Sequence, residues 1–199
     1  MKSIFKELLH LQLPLILASG SPRRKSLLES MGLEFEVIVS DFDEDAIEFT
    51  NPVDYCEKLA RSKAESVLNL TEYPAIVIAA DTIVYLEGKV LNKPRTELEA
   101  LEMLTQLSGN THSVFTAVAA ANTASDTILV KHKETKVTFR NLRQIEIKSY
   151  ISTGSPMDKA GAYGIQDDFG ATFVSSIEGD FYNVVGLPLE LLYSMLGEI

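Results

Sequence analysis

An uninterrupted apolar run lies near the middle of the chain, at residues 75–80 (AIVIAA). Apolar residues that follow one another without alternation are typical of a strand covered on both faces of a sheet. A second run, at residues 15–18 (LILA), is broken by Ser-Gly-Ser-Pro at residues 19–22. Ser21 can cap a helix whose first residue is Pro22. The two runs therefore predict buried strands, and the one at residues 15–18 leads directly into a helix.

Strand and helix signals alternate along the remaining chain. Capping and apolar periodicity predict helices from residue 52 to about 70, after Thr96 as far as Gly109, near residues 143–152, and from residue 188 onward. Further strands are predicted at residues 35–39, 82–86, 112–121 and 127–139. Residues 87–89 (EGK) indicate a hairpin turn, so a purely parallel sheet fits less well. We expect an α/β fold, with a mixed sheet and helices on its faces.

The chain has 199 residues, a length that suits one domain with two lobes. We expect residues 1–199 to form a single domain, in which residues 1–14 are an amino-terminal extension. This extension is mixed in polarity and lacks the small-residue cleavage pattern of a signal peptide. No apolar run approaches the roughly 20 residues that span a bilayer, so no membrane partner is expected.

The charge and the cysteine content exclude several classes of function. Eighteen basic against 28 acidic residues give a net charge of −10, which disfavours binding to nucleic acid or to an anionic membrane. A small anionic ligand can still bind where basic residues gather locally. The single cysteine, Cys56, excludes an internal disulfide framework and a cysteine-built metal site. It fits a reducing compartment, and we expect a cytoplasmic protein.

Three cations in succession, Arg23, Arg24 and Lys25, occupy the first turn of the helix that Ser21 caps. The positive end of the helix dipole disfavours cations by up to about 1 kcal/mol, whereas its free amides attract anions. An arriving phosphate would explain the three cations. Simple solvation is the alternative, and these residues alone do not decide between the two.

Two further charges, Lys63 and Asp81, stand where stability alone would not place them. Lys63 falls on the apolar stripe of the helix that begins at residue 52, seven residues after Cys56. Spacing alone favours a stem that extends to water, and a phosphate or carboxylate partner is the functional alternative.

Asp81 directly follows the apolar run. It can bind a metal or act as a general base, or it can cap backbone amides.

Residues 41–45 (DFDED) belong to an acidic loop. Hard cations take oxygen ligands, but a solvated loop is the better interpretation on composition alone. The three histidines show no metal-ligand spacing, and His112 at a strand start is expected to be structural. The chain lacks a Walker phosphate loop, a nucleophile elbow and a dinucleotide fingerprint.

Residues 17–24 (LASGSPRR) resemble the opening motif of the Maf family of nucleoside triphosphate pyrophosphatases. Further motifs of the family follow in the same order, so the resemblance extends from about residue 15 to residue 196. They are ADT at residues 80–82, NKP at 92–94, SGNTH at 108–112, KAGAYGIQ at 159–166 and NVVGLP at 183–188. The resemblance implies a bent mixed sheet of the Maf/ITPase-like type, flanked by helices, with two lobes around a central cleft.

The resemblance also implies hydrolysis of a nucleoside triphosphate to the monophosphate and pyrophosphate with a divalent cation, Mg²⁺ or Mn²⁺. Asp81 matches the proton acceptor, and with Glu44 it would hold the metal. The phosphate-binding positions of the family are matched by Ser19, Arg24, Lys63 and Lys93. Members of the family are often dimeric, so a homodimer is expected as well.

One branch of the family is a dTTP and UTP pyrophosphatase and has Arg, Thr and Gln at three specificity positions. These positions are Arg23, Thr82 and Gln166 here, whereas a branch that acts on 7-methyl-GTP carries Trp, Gln and Glu. The chain therefore resembles the first branch, with standard or modified pyrimidine nucleotides as substrates. It departs just after Gln166, where residues 167–170 (DDFG) replace a shorter, glycine-led turn. The breadth of base specificity is the property that this departure affects.

Two other functions stay open. The family is also linked with inhibition of septum formation, so a nucleotide-binding regulator of cell division with little turnover is the main alternative. Release of orthophosphate from the γ-position is the third. A pure binder has no need of both Asp81 and Glu44 beside three phosphates, because two acids repel such a ligand unless a metal intervenes.

Overall fold

The computed structural model describes residues 4–166 and 169–199. Its helices are α1 Ile4–Leu8, α2 Pro22–Ser30, α3 Pro52–Leu68, α4 Glu97–Leu107, α5 Gln144–Ile151, α6 Phe181–Val185 and α7 Leu189–Leu196. Its strands are β1 Leu15–Leu17, β2 Phe35–Val37, β3 Ile76–Leu86, β4 Lys89–Leu91, β5 Thr111–Asn122, β6 Thr127–Phe139 and β7 Val174–Glu178. Within the described residues, no helix is both long and apolar enough to traverse a bilayer. The acids Asp167 and Asp168, which open the departure from the family pattern, lie outside the described residues.

The strands form one mixed sheet. Its hydrogen-bonded order is β2-β1-β3-β5-β6-β7, and β4 pairs with β3. β1 is parallel to both β2 and β3, whereas the β3–β4 and β6–β7 pairs are antiparallel. Glu87 and Gly88, both with positive φ, make the two-residue turn from β3 to β4 that the sequence predicts. The predicted mixed α/β sheet is confirmed.

The chain divides into two compact units. The first contains the residues up to Asp81 together with Thr116–Lys133 and Gly186–Ile199. The second contains Thr82–Phe115 and Glu134–Val185.

The core of the first unit is built from strands β1 and β3 and helices α2 and α7. Leu17 and Ile78 from the strands join Leu28 of α2 and Leu192 of α7 in this cluster, and all four are fully buried. Leu11 belongs to the same cluster and is 8% exposed. Part of the predicted amino-terminal extension therefore packs into the core that carries β1.

Local signals set both ends of α2. Ser21 is the N-cap, and its side chain accepts the backbone N–H of Arg24. Pro22 occupies the first helical position, where its missing N–H costs nothing. Gly32 follows the helix with a φ of +66°, in the left-handed region that favours glycine. The predicted start and end of this helix are confirmed.

The sequence predicts that Leu98, Leu101, Leu104 and Leu107 form the apolar face of the helix after Thr96, and α4 differs from this prediction at its first turn. Leu104 and Leu107 are buried as expected, but Leu98 is 64% exposed and Ala100 takes its place in the core. At about 100° per residue, Leu98 points roughly 120° away from Leu104, whereas Ala100 lies within about 40° of it. Leucines spaced three residues apart therefore do not all lie on the buried face of the helix.

His112 on β5 lies in an aromatic cluster of the second unit. It is 2% exposed, and its Nε2 is 2.8 Å from the hydroxyl of Tyr163. Its ring also meets Phe139 edge to face, with centroids 5.2 Å apart. Burial lowers the pKa of His112 from its ordinary 6.5 to about 4. The structural role expected for this histidine agrees with its surroundings.

Replacing His112 by glutamine is expected to flatten the pH dependence of stability. The unfolded chain takes up a proton below pH 6.5, whereas the folded protein resists it until about pH 4. The wild type therefore loses stability as pH falls through this window, by on the order of 3 kcal/mol from this group. Urea unfolding at several pH values measures the slope. A His112→Gln slope equal to that of the wild type, with His10→Gln as the exposed control, would contradict this assignment.

Candidate active site

Asp81 is the sixth of the eleven residues of β3 and is 6% exposed. The strand residues before it are apolar and buried. Because β3 continues to Leu86, the carboxylate lies inside a strand and not beyond its end. A buried carboxylate needs partners that replace water.

The ammonium group of Lys63 is such a partner. Lys63 lies on α3, and its side chain is 11% exposed. Its Nζ donates to Oδ1 of Asp81 and lies 2.7 Å from Oε1 of Glu44. Helix spacing alone favoured a Lys63 side chain that extends to water. In the structure its ammonium instead contacts two carboxylates. Helix periodicity could not show this, because both partners come from other segments of the chain.

Glu44 opens a single turn of 3-10 helix, Glu44–Ala46, within the acidic loop. Asp43 caps this turn, and its side chain accepts the backbone N–H of Asp45 at 3.0 Å. The Glu44 side chain is 47% exposed and reaches the ammonium of Lys63. The loop is therefore not merely solvated, because one of its acids is directed onto Lys63.

The first turn of α2 holds Arg24 against two other segments. Its Nε donates to the carbonyl oxygen of Gly186 at 2.8 Å, and its Nη1 donates to Oγ of Ser19 at 3.2 Å. Loss of hydration lowers the pKa of the Arg24 guanidinium, while the negative charge of Asp81 acts in the opposite direction. Arg23, in the same turn, is partly buried. Arg24 is thus not simply solvated, because it bonds two other segments, whereas Lys25 is exposed.

Six predicted site residues lie in the first unit, and all of them except Arg23 fall into two contacting groups. One is Glu44, Lys63 and Asp81, joined through the Lys63 ammonium. The other is Ser19 and Arg24, joined by a hydrogen bond. The roles that the family resemblance gives these residues stay predictions.

Cys56 fixes the backbone at Asp81. Its Sγ donates to the carbonyl oxygen of Asp81 at 3.3 Å and accepts the N–H of Ala117 at 3.2 Å. Burial raises the pKa of the thiol, and the charge of Asp81 raises it further, so the thiol keeps the proton that it donates. Periodicity places Cys56 on an apolar stripe two helical turns before Lys63, but it does not predict that the thiol bridges Asp81 and Ala117 by two hydrogen bonds.

Three predicted residues lie in the second unit. Thr82 follows Asp81 directly on β3 and is partly buried, whereas Lys93 and Gln166 are exposed. Gln166 ends a segment that needs glycine at position 161, where φ is +67°. A Cβ at that position would lie 2.9 Å from Cγ2 of Val84. The Gly161 N–H also donates to the carbonyl oxygen of Asn92 at 3.2 Å, which ties this segment to the residue before Lys93.

The donor set of the first unit fits a divalent cation. Glu44 and Asp81 each direct a carboxylate oxygen at the same ammonium, so the two acids converge on one position for positive charge. Mg²⁺ is commonly held by one or two carboxylates, with water and substrate phosphates completing its shell. Residues 4–166 and 169–199 contain no assembled group of three or more His, Cys, Asp or Glu ligands. Glu44 and Asp81 would therefore supply two ligands of such a cation, at a position that the Lys63 ammonium contacts in this structure.

Named relatives match nearly the whole chain. A dTTP/UTP pyrophosphatase of Clostridium perfringens (strain SM101) is 50% identical over 182 residues, which cover 91% of this chain and 94% of the relative. Another protein of this name, from Symbiobacterium thermophilum, is 50% identical over 183 residues and 92% of either chain. A third, from Bacillus thuringiensis subsp. konkukian, is 49% identical over 179 residues, or 89% of this chain and 91% of the relative.

Solved structures share the fold at much lower identity. The Ham1 protein of Staphylococcus aureus is 16% identical, with a TM-score of 0.52, and the match covers 94% of this chain and all of the other. A HAM1 protein from Coxiella burnetii is 17% identical with the same score and coverage. At this identity the likeness concerns the fold alone. The family model described as Maf-like protein matches residues 14–199, and with relatives half identical over nine-tenths of its length, the chain belongs to the Maf family.

Proposed function

We propose that this protein is a pyrophosphatase that hydrolyses dTTP, UTP or modified pyrimidine triphosphates to the monophosphate and pyrophosphate. The observation that carries the proposal is the convergence of Asp81 and Glu44 on the Lys63 ammonium. The name of the half-identical relatives supports it, as does the Arg, Thr and Gln pattern of the specificity positions. A cytoplasmic location and a homodimer remain predictions of the cysteine content and the family resemblance.

In the proposed reaction, water attacks the α-phosphorus, and the bond between that phosphorus and the bridging oxygen to the β-phosphate breaks. Pyrophosphate leaves with the electron pair, and the water proton passes to the Asp81 carboxylate. The Cys56 bridge holds the backbone that carries this carboxylate, which favours a fixed direction for proton transfer. Glu44 and Asp81 would hold a divalent cation, which would neutralise charge on the phosphates.

The phosphates need local cations because the whole protein carries a net charge of −10 and repels a triphosphate. Arg24 and Lys63 supply positive charge in the first unit, and Lys93 does so in the second. Ser19 and the free amides at the start of α2 add hydrogen-bond donors. These assignments follow the family resemblance, and for Lys63 they are supported by its contact with Asp81.

A product assay tests the proposed function. The protein is incubated with Mg²⁺ or Mn²⁺ and, separately, with dTTP, UTP, CTP, GTP, ATP and 7-methyl-GTP. Monophosphate and pyrophosphate from dTTP and UTP are expected. The same products mainly from CTP or 7-methyl-GTP would keep the reaction and overturn the base assignment, and orthophosphate would overturn the reaction. Binding of nucleotide without turnover would favour the regulatory function.

Replacing Gln166 by glutamate is expected to alter base preference more than stability. The amide of Gln166 has both a donor and an acceptor for the edge of uracil or thymine. A carboxylate lacks the donor, so the ratio of kcat/KM for UTP to that for GTP should fall by about tenfold or more. Because Gln166 is exposed, the free energy of unfolding should change by less than about 0.5 kcal/mol.

Relative kcat/KM values for the six nucleotides measure this effect. Gln106→Glu is the matched control, since Gln106 is another exposed glutamine of the second unit. Unchanged ratios in Gln166→Glu would refute a base-reading role for Gln166.

A further inference from the structure

The cation position between Glu44 and Asp81 is filled by the chain itself. The Lys63 Nζ is 2.7 Å from Oε1 of Glu44 and donates to Oδ1 of Asp81. The side chains of Lys63 and Asp81 are only 11% and 9% exposed, so water screens this pair weakly. The two acids proposed to hold a divalent cation thus already share a monovalent one.

A carboxylate oxygen can accept more than one partner, but an ammonium and a metal cation on the same two carboxylates repel each other. The contacts of Lys63 with Oε1 of Glu44 and Oδ1 of Asp81 therefore weaken the binding of a metal there for as long as both contacts persist. The free metal therefore competes with a partly buried ion pair whose rupture leaves a charge without its partner.

Movement of the Lys63 ammonium does not require movement of its helix. Its backbone belongs to α3, which buries Cys56, Leu59 and Ala60 one to two turns earlier. The four-carbon stem of lysine is flexible and carries a compact point charge, so its end can swing without repacking the helix. The charges of Glu44 and Asp81 also act on the guanidinium of Arg24, which raises its pKa against the effect of burial.

We propose that Lys63 is an internal counter-ion that keeps free metal away from Glu44 and Asp81 until nucleotide phosphates draw the ammonium off. This inference rests on the proposed function, because it takes the two acids as metal ligands and the phosphates as partners of Lys63. Metal then enters together with nucleotide and not before it. Until then the carboxylates of Glu44 and Asp81 stay close to each other, because the ammonium between them offsets their mutual repulsion.

Binding of Mn²⁺ alone, without nucleotide, tests this role by titration calorimetry and by the electron paramagnetic resonance signal of the free ion. Lys63→Met is expected to lower the Kd for Mn²⁺ by at least about tenfold relative to the wild type. Lys63→Arg keeps the positive charge and should bind Mn²⁺ as weakly as the wild type. Lys58→Met removes an exposed charge from the same helix and should also leave the affinity unchanged, which separates a local effect from net charge.

Two further variants keep the test decisive. Lys63→Gln should reproduce the gain if Lys63→Met fails to fold, and adding Glu44→Gln to either should remove the gain. Equal Mn²⁺ affinity in the wild type and the neutral variants would overturn the inference, as would a gain that survives Glu44→Gln. Release of pyrophosphate from dTTP by the wild type is measured in parallel, so that a failed counter-ion role with intact turnover is distinguished from a failed function.

Discussion

Asp81→Asn is expected to lower the rate of pyrophosphate release from dTTP by about 10³-fold. The amide has the size of the carboxylate but cannot accept the water proton, and it is a poor ligand for a hard cation. The fold should survive, because the Cys56 thiol bonds the backbone carbonyl of residue 81 and not its side chain. Lys63 also keeps Glu44 as a partner in this variant. Steady-state kinetics and urea unfolding together measure the two effects.

Asp45→Asn is the matched control for this prediction. Asp45 is an exposed acid of the same short helix as Glu44, and its loss removes one negative charge from that loop. Its turnover should stay within about twofold of the wild type, as expected for a surface substitution. Wild-type rates in Asp81→Asn would remove Asp81 from the mechanism, whatever the control does.

Arg24→Met is expected to lower kcat/KM for dTTP by about 100-fold and to destabilise the fold as well. The variant loses a charge-assisted partner for phosphate, a class of hydrogen bond roughly twice as strong as neutral ones. It also leaves the buried carbonyl of Gly186 without the Nε donor, which costs about 1–3 kcal/mol of unfolding free energy. Kinetics measure the first effect and urea unfolding the second, so the two roles of Arg24 are tested separately.

Lys25→Met provides the comparison within the same turn of α2. Lys25 is exposed, and its charge faces Glu29 at 3.8 Å one turn later. Its removal should change the free energy of unfolding by less than about 0.5 kcal/mol and leave kcat/KM nearly unchanged. An Arg24→Met enzyme as active as Lys25→Met would show that Arg24 is only a structural tether.

Elements with local signals agree with the sequence prediction to within a few residues. Ser21 and Pro22 define the start of α2 because a cap and a fixed φ act on the adjacent backbone alone. The run at residues 75–80 predicts the buried half of β3 because unbroken apolarity requires cover on both faces. Leu98 shows the limit of this reasoning, since a row of leucines does not follow the 3.6-residue period that burial obeys.

The sequence by itself determined the alternation of strands and helices, the mixed sheet, and the family resemblance that points to Asp81, Glu44, Lys63 and the cations of α2. Each of these depends on neighbours along the chain or on residue identity. The tertiary structure alone decided what the charges touch. Lys63 meets carboxylates 19 residues before it and 18 after it, and Arg24 meets a carbonyl 162 residues away. Such partners are chosen by chain packing, because a buried charge must be compensated by whatever group the fold brings within hydrogen-bond distance.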